Sequence, residues 1–345
     1  MEFTPVATLP HRLTTRGRGV LPGVLLCVAI AAVATAIGRV VPVLGAAIPA
    51  VLIGLMIAVV RPPTGRAVEG VGFASRFVLQ CAVVLLGAQL SIGAVLQVGA
   101  RSLPVMLASL AVCLLAAWGI GRALRIDPAI ATLIGVGTGI CGASAIAAVS
   151  PVIRAKSAQI AYAVSTIFLF NILAIVAFPL IGHLLGMSPQ AFGLFAGTAV
   201  NDTSSVVAAA SVYGSAALGF AVVVKLVRTL MIVPISVGLA VLDARRTGAG
   251  TTLSPKRALT LVPWFLIGFL VVALINSAGL IPSGAGDVLK QVSVFLVATA
   301  LAGIGLSTDF VAIRVAGWKP LLLGGILWIL VSATTLTTMT LSGYL

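Results

Sequence analysis

Two stretches of this chain carry residue types suited to holding a small charged solute inside an apolar body. The first, Gly135 to Pro151, reads GVGTGICGASAIAAVSP, in which four glycines and a run of small residues interrupt an apolar segment. At membrane depth such an interruption is tolerated only where the unwound backbone is buried in protein or lines a cavity. If Ile130–Ile140 and Ser144–Val149 are helical and the Gly139, Cys141, Gly142 region is not, a second half-helix begins near Cys141 to Ser144. Its free N–H groups and positive dipole end favour an anion. Close packing of two spanning helices through small residues would write the same pattern. A second copy weighs against that. Sixty positions on, the chain reads GTAVNDTSSVVAAAS, with Gly137/Gly197, Thr138/Thr198, Ser144/Ser204 and Ala148/Ala208 identical and Ile140/Val200 and Ile146/Val206 similar. Paired interruptions at corresponding places are the best sequence pointer to a transporter binding site.

Charge inside apolar segments adds to these. Asp202 lies in the second interruption, within NDTSS, where a carboxylate costs about 2.5–3.5 kcal/mol unless it faces a cavity or a partner. A helix N-cap near the interface is the competing reading. Lys225 and Arg228 stand three apart, on one face of an apolar run at 218–242. Lys225 is too far from either end of that run to snorkel comfortably, so it is expected to approach Asp202 or a bound anion. Asn171, mid-run, is a lesser candidate that an interhelical hydrogen bond would equally explain.

Enzymatic readings fare poorly. The two histidines, His11 and His183, lie in a basic N-terminal tail and a short loop, leaving Cys141 and Ser144 without an evident base. GVGTGICG has the glycines of a phosphate loop but no following lysine. Cys27, Cys81, Cys113 and Cys141 fall in apolar runs without CxxC spacing, which indicates neither a disulfide framework nor a metal site. The expectation is a non-enzyme with no cofactor.

The elements that must position these residues are membrane helices. Of 345 residues 60% are hydrophobic and 8% charged, with mean hydropathy +1.23, a make-up foreign to soluble domains. The net charge of +14 comes from Lys and Arg scattered between apolar runs, as the positive-inside bias predicts, and does not read as nucleic-acid binding. Full spans are expected at 20–41, 43–60, 72–97, 103–121, 158–182, 218–242, 260–280, 288–307 and 320–343, with glycine-broken segments at 128–150 and 191–211. That gives an all-α polytopic membrane protein of 9–11 segments. A basic cytoplasmic tail (1–19) precedes a single transmembrane domain (20–345), whose first span is an uncleaved signal anchor.

With the N-terminus inside, Arg61, Arg66, Arg76, Arg122, Arg125, Arg245, Arg246, Lys256, Arg257, Arg314 and Lys319 become cytoplasmic. If the broken segments are re-entrant, Arg154 and Lys156 join them and the uncharged loop GHLLGMSPQ is external; if they cross fully, those two lie outside. The re-entrant arrangement fits the charge rule better and lets the segments enter from opposite faces, as an inverted repeat requires. A second internal match, at an offset of 216 residues, pairs Leu85/Leu301, Gly87/Gly303, Leu90/Leu306, Ser91/Ser307, Val95/Val311, Ala100/Ala316, Pro104/Pro320 and Leu107/Leu323.

ICGASAIAAVSPVIRAK, AGTAVNDTSSVVAAAS, VKLVRTLMIVP and the GAQLS segment, in this order, resemble the sulfate exporter family of bacterial inner-membrane proteins, the YeiH type, over roughly Val20 to Leu345. The family is grouped with the cation:proton antiporter and anion transporter superfamily. The resemblance implies an inverted-repeat helical transporter whose discontinuous helices lie beside a scaffold bundle, in the inner membrane. Its motif positions here are Cys141, Gly142, Ser144, Asn201, Asp202, Thr203, Ser204, Lys225 and Arg228, and Gly139 joins them from the sequence pattern. The expectation is a secondary transporter exporting a small oxyanion such as sulfate, or an organosulfonate, by alternating access. Ser144, Ser204 and half-helix amides would hold the anion, Lys225 and Arg228 balance it, and Asp202 bind a coupling proton or sodium ion. A cation/proton antiporter centred on Asp202 and Lys225 is one alternative, and a membrane scaffold or sensor without flux is another. Whether two chains pair into a homodimer stays open.

Overall fold

The computed structural model describes residues 17–40, 46–247, 263–307 and 318–345. All regular structure among them is helical, and seven stretches are long and apolar enough to cross a membrane: Val20–Val40, Arg66–Gln89, Ile92–Ala123, Ala158–Leu184, Ser215–Leu239, Gly284–Leu306 and Trp318–Leu341. The chain is a multi-span, all-α membrane protein. The tail 1–16, Lys256, Arg257, Arg314 and the matched positions Val311 and Ala316 lie outside the described residues.

Two compact units form. The first takes α1 (Gly17–Val40), α2 (Ala47–Val60), α3 (Arg66–Phe73) with the π-helical turn Ala74–Val78, and the end of α14 (Ser283–Leu306). Glycine sets its spacing. A Cβ placed on Gly70 would lie 2.7 Å from the Gly23 Cα, and one on Gly54 would lie 2.5 Å from the Ala302 carbonyl oxygen, so these helices approach backbone to backbone as small-residue interfaces in membranes do.

The second unit holds α4 (Leu79–Leu86, from Cys81 on), α5 (Ile92–Ala123), α6 (Pro128–Val136), α7 (Ala143–Val149), α8 (Ser157–Leu184), α9 (Pro189–Ala199), α10 (Thr203–Tyr213), α11 (Ser215–Thr229), α12 (Ile232–Thr247), α13 (Trp264–Ser277), the start of α14, and α15 (Trp318–Leu341). The tightest pairing is α9 on α11. Gly193 and Gly197 present no side chain, and a Cβ on either would press on the Ala217 or Ala221 carbonyl oxygen at 3.0 or 2.8 Å.

Three expected spans come out differently. The runs 43–60 and 260–280 hold helices of 14 residues, α2 and α13, about 21 Å long at 1.5 Å per residue and shorter than a hydrocarbon core of about 30 Å. Pro62 and Pro63 follow soon after the end of α2, and Gly279, at φ +70°, closes off α13. The run 72–97 is cut at Leu90, which turns extended, and Ser91 N-caps α5 by accepting from the Ala94 N–H at 3.1 Å.

Candidate functional site at the helix breaks

Both broken segments start the same way. Asp127 caps α6, its Oδ1 accepting from the Ala129 N–H at 2.8 Å, and Pro128 occupies the first turn. Ser188 caps α9, its Oγ accepting from the Ala191 N–H at 3.1 Å, followed by Pro189. A capping residue followed by proline is a strong helix start, because the missing N–H would have been unpaired anyway. This Asp-Pro and Ser-Pro pair is a likeness between the two segments that the sixty-residue alignment passes over.

Both segments then break. After α6 the helix widens into a π-turn over Gly137–Cys141, and Gly142 leaves it with φ +67° and ψ −131°. The helix resumes at Ala143 without a side-chain cap. The second segment ends its first half at Ala199, runs extended through Val200, and resumes at Thr203. Breaks inside 128–150 and 191–211 are therefore where the glycine and NDTSS patterns put them.

The two breaks touch. A Cβ placed on Gly142 would lie 2.9 Å from the Cβ of Asp202 and 3.5 Å from its Cα. Asp202 is the N-cap of α10, and its carboxylate is fully engaged. Oδ1 accepts from the Ser204 hydroxyl at 2.6 Å and the Ser205 N–H at 2.7 Å; Oδ2 accepts from Asn171 Nδ2 at 2.5 Å and the Ser205 hydroxyl at 3.1 Å. Asn171, on α8, also accepts from the Asn201 N–H at 3.2 Å. One amide therefore clasps the second break from both sides.

The cations sit at the opposite ends of the break. Lys225 Nζ donates to the Ile140 carbonyl at 3.0 Å and the Val200 carbonyl at 2.7 Å, so a single lysine amine bridges the last turns of both first half-helices. Arg228 donates from Nε to the Gly139 carbonyl at 2.7 Å and from Nη2 to the Thr138 carbonyl at 3.4 Å. Both side chains are 0% exposed. Sequence reasoning has Lys225 approaching Asp202 or an anion, whereas its hydrogen bonds go to carbonyls. Interrupted helices leave their last carbonyls unpaired and their negative dipole ends exposed, and a buried cation satisfies both.

Several polar atoms in this core lack a hydrogen-bond partner among the described residues. They are both amide atoms of Asn201, the hydroxyls of the repeat-related Thr138 and Thr198, and Arg228 Nη1. Buried polar groups are nearly always paired, so such a cluster marks space for water or a solute. The Cys141 thiol lies beside the Ala145 amide and the Thr229 hydroxyl.

Hydrogen bonds or direct contacts thus tie Gly139, Gly142, Asn201, Asp202, Ser204, Lys225 and Arg228 into one constellation, with Cys141 at its margin. Thr203 is half-buried and Ser144 exposed, each on the first turn of a resumed half-helix. Neither makes a hydrogen bond to Lys225 or Arg228, whose side-chain bonds go to Thr138, Gly139, Ile140 and Val200. Asn171 and Ser205 belong to the centre, although the sequence ranks the first as minor and does not single out the second. Among the described residues, no group of three or more His, Cys, Asp or Glu side chains could hold a metal ion.

An all-helical body with two broken helices meeting at their interruptions defines the class as a polytopic membrane protein with a polar centre. The family described as Conserved hypothetical protein 698 matches residues 22–324, and the chain belongs to it. It is 43% identical to a UPF0324 membrane protein of Streptococcus pyogenes serotype M6, over 92% of this chain and 95% of that one. The similarity to a UPF0324 membrane protein of Streptococcus agalactiae serotype V is 38%, over 94% and 98%. To one of Streptococcus pneumoniae strain R6 it is 42%, over 93% and 97%.

Proposed function

We propose that this protein is a secondary transporter for a small anion, working by alternating access from a bacterial plasma membrane with its N-terminus in the cytoplasm. The observation that carries the reading is Lys225, buried and bonded at once to Ile140 and Val200. A cation shared by two helix breaks is an expensive arrangement that a merely structural bundle does not need. With both bases protonated, Lys225 and Arg228 bring two positive charges to the crossing against the one negative charge of Asp202. The excess invites an anion, and the unpartnered Arg228 Nη1, Thr138 and Thr198 hydroxyls and Asn201 Nδ2 offer it donors.

Sulfate and organosulfonates are the substrates to try first, because their oxygens accept many hydrogen bonds and they carry no proton at neutral pH. The inverted repeat belongs to this reading, supported by the paired capping-residue-and-proline starts and the paired threonines. So does export as the direction. Coupling through Asp202 would require Ser204 or Asn171 to release a carboxylate oxygen, since each oxygen already accepts two hydrogen bonds. That is the reason a cation/proton antiporter centred on Asp202 ranks second.

The test is flux in proteoliposomes. Labelled sulfate is expected to accumulate under an imposed ion gradient and to stop in Lys225→Ala. Proton-linked sodium movement indifferent to sulfate would replace this reading with the antiporter, and absence of any flux would leave a scaffold or sensor.

A further inference from the structure

The second unit holds a cavity of about 390 Å³ apart from the helix crossing. Its walls include Gln97 and Arg101 of α5, Ser188 and Gln190 at the start of α9, and Tyr344. Arg101 is the only charged residue lining it, and its guanidinium has no hydrogen bond or ion pair among the described residues; the Tyr344 hydroxyl reaches the Arg101 carbonyl, at 3.3 Å. The hollow is largely apolar and Arg101 stands exposed at its wall; with no acid opposite, its fork of donors is left to suit an oxyanion.

Two further features give the cavity a direction. Arg101 and Arg122 lie on the same helix, about 32 Å apart at 1.5 Å per residue, close to the hydrocarbon thickness of about 30 Å. Arg101 therefore marks the membrane face opposite the one that Arg122 and Arg125 occupy, where the positive-inside bias does not call for a cation. The cavity wall includes Val224, which packs where a Gly197 Cβ would stand 2.7 Å from the Val224 Cβ. The hollow thus borders the seam of α9 and α11.

We infer that this cavity is a second anion-binding site, a vestibule in which Arg101 captures a small oxyanion on the face opposite Arg122. The identity of the ligand rests on the anion reading above, but the site itself can be tested without transport. Gln97, exposed on the cavity wall, is replaced by cysteine, and its labelling by a cationic thiosulfonate is timed in purified protein with and without sodium sulfate. Ionic strength is held constant with a bulky organic anion. Three of the four native cysteines are buried and Cys81 is half-buried, so the unsubstituted protein supplies the blank, and Ala94→Cys serves as a second reporter should Gln97→Cys not fold.

Sulfate is expected to slow labelling several-fold, and Arg101→Gln to abolish the protection while Arg101→Lys retains part of it. Absence of protection, or equal protection in Arg101→Gln, overturns the proposal. Flux measured on the same preparations separates the two readings: protection without flux sinks transport and leaves the vestibule, and sulfate flux without protection does the reverse.

Discussion

Gly142 lies directly over Asp202, the two breaks meeting where a Cβ on the glycine would come within 2.9 Å of the aspartate Cβ. Gly142 also holds φ +67° and ψ −131°, a conformation that L side chains enter at a cost of about 1–3 kcal/mol. Gly142→Ala is therefore expected to lower the melting temperature and to abolish flux. Gly139→Ala, whose Cβ would press on the flexible tip of Leu110 at 3.0 Å and make ordinary contact with Cys113 Sγ at 3.5 Å, is the milder comparison. Melting curves of the two purified variants check this; equal stability in both would show that the break tolerates a side chain.

Lys225→Met removes the donor shared by Ile140 and Val200. Each carbonyl left unpaired costs about 1–3 kcal/mol, so the variant is expected to insert into the membrane, melt earlier and carry no sulfate. Arg228→Lys keeps the charge but cannot span Gly139 and Thr138 with a fork, and is expected to retain stability better than flux. Size-exclusion profiles, melting and flux read the three effects apart.

Asn171 and Asp202 invite an exchange. Asp202→Asn places two amides together and loses the charge-assisted bond, while Asn171→Asp opposes two carboxylates. The double variant restores one amide and one acid, and residue 171 can still accept from the Asn201 N–H. It is expected to melt higher than either single variant. A double-mutant cycle with no coupling would mean that the 2.5 Å bond contributes nothing.

Gly197→Val forces α9 off α11, because the new side chain would meet Val224 and the Ala221 carbonyl. Overpacking of this kind costs about 1–3 kcal/mol. Loss of flux is expected to exceed what the drop in melting temperature explains, since Val200 and Lys225 lie one turn away. Flux that merely tracks stability would make the seam a packing element only.

Much of this was legible in the residues. Apolar run length marks nine spans, of which 43–60 and 260–280 hold helices too short to cross, and glycine plus the NDTSS cluster mark both breaks, because backbone interruption needs residues without bulk and with hydrogen-bonding side chains. Sequence could not show that Lys225 points at carbonyls, since a lysine pairs with whatever the fold brings near. Asn171 carries little signal in the sequence because its partners lie about thirty residues away. Arg101 and its cavity carried a fainter signal, a cation on the face where charge bias expects few, and Gln97 and Tyr344 gave none at all.

The bonds around Lys225 and Arg228 also bear on motion. Helix α11 is stitched to the first break by the bonds to Thr138, Gly139 and Ile140, and is pressed glycine-tight along α9, which leads into the second. No hinge can open between the interrupted helices without tearing those links. A stroke of the proposed transporter must therefore shift the knot whole, like a bead on a string, with its lysine and arginine riding inside it.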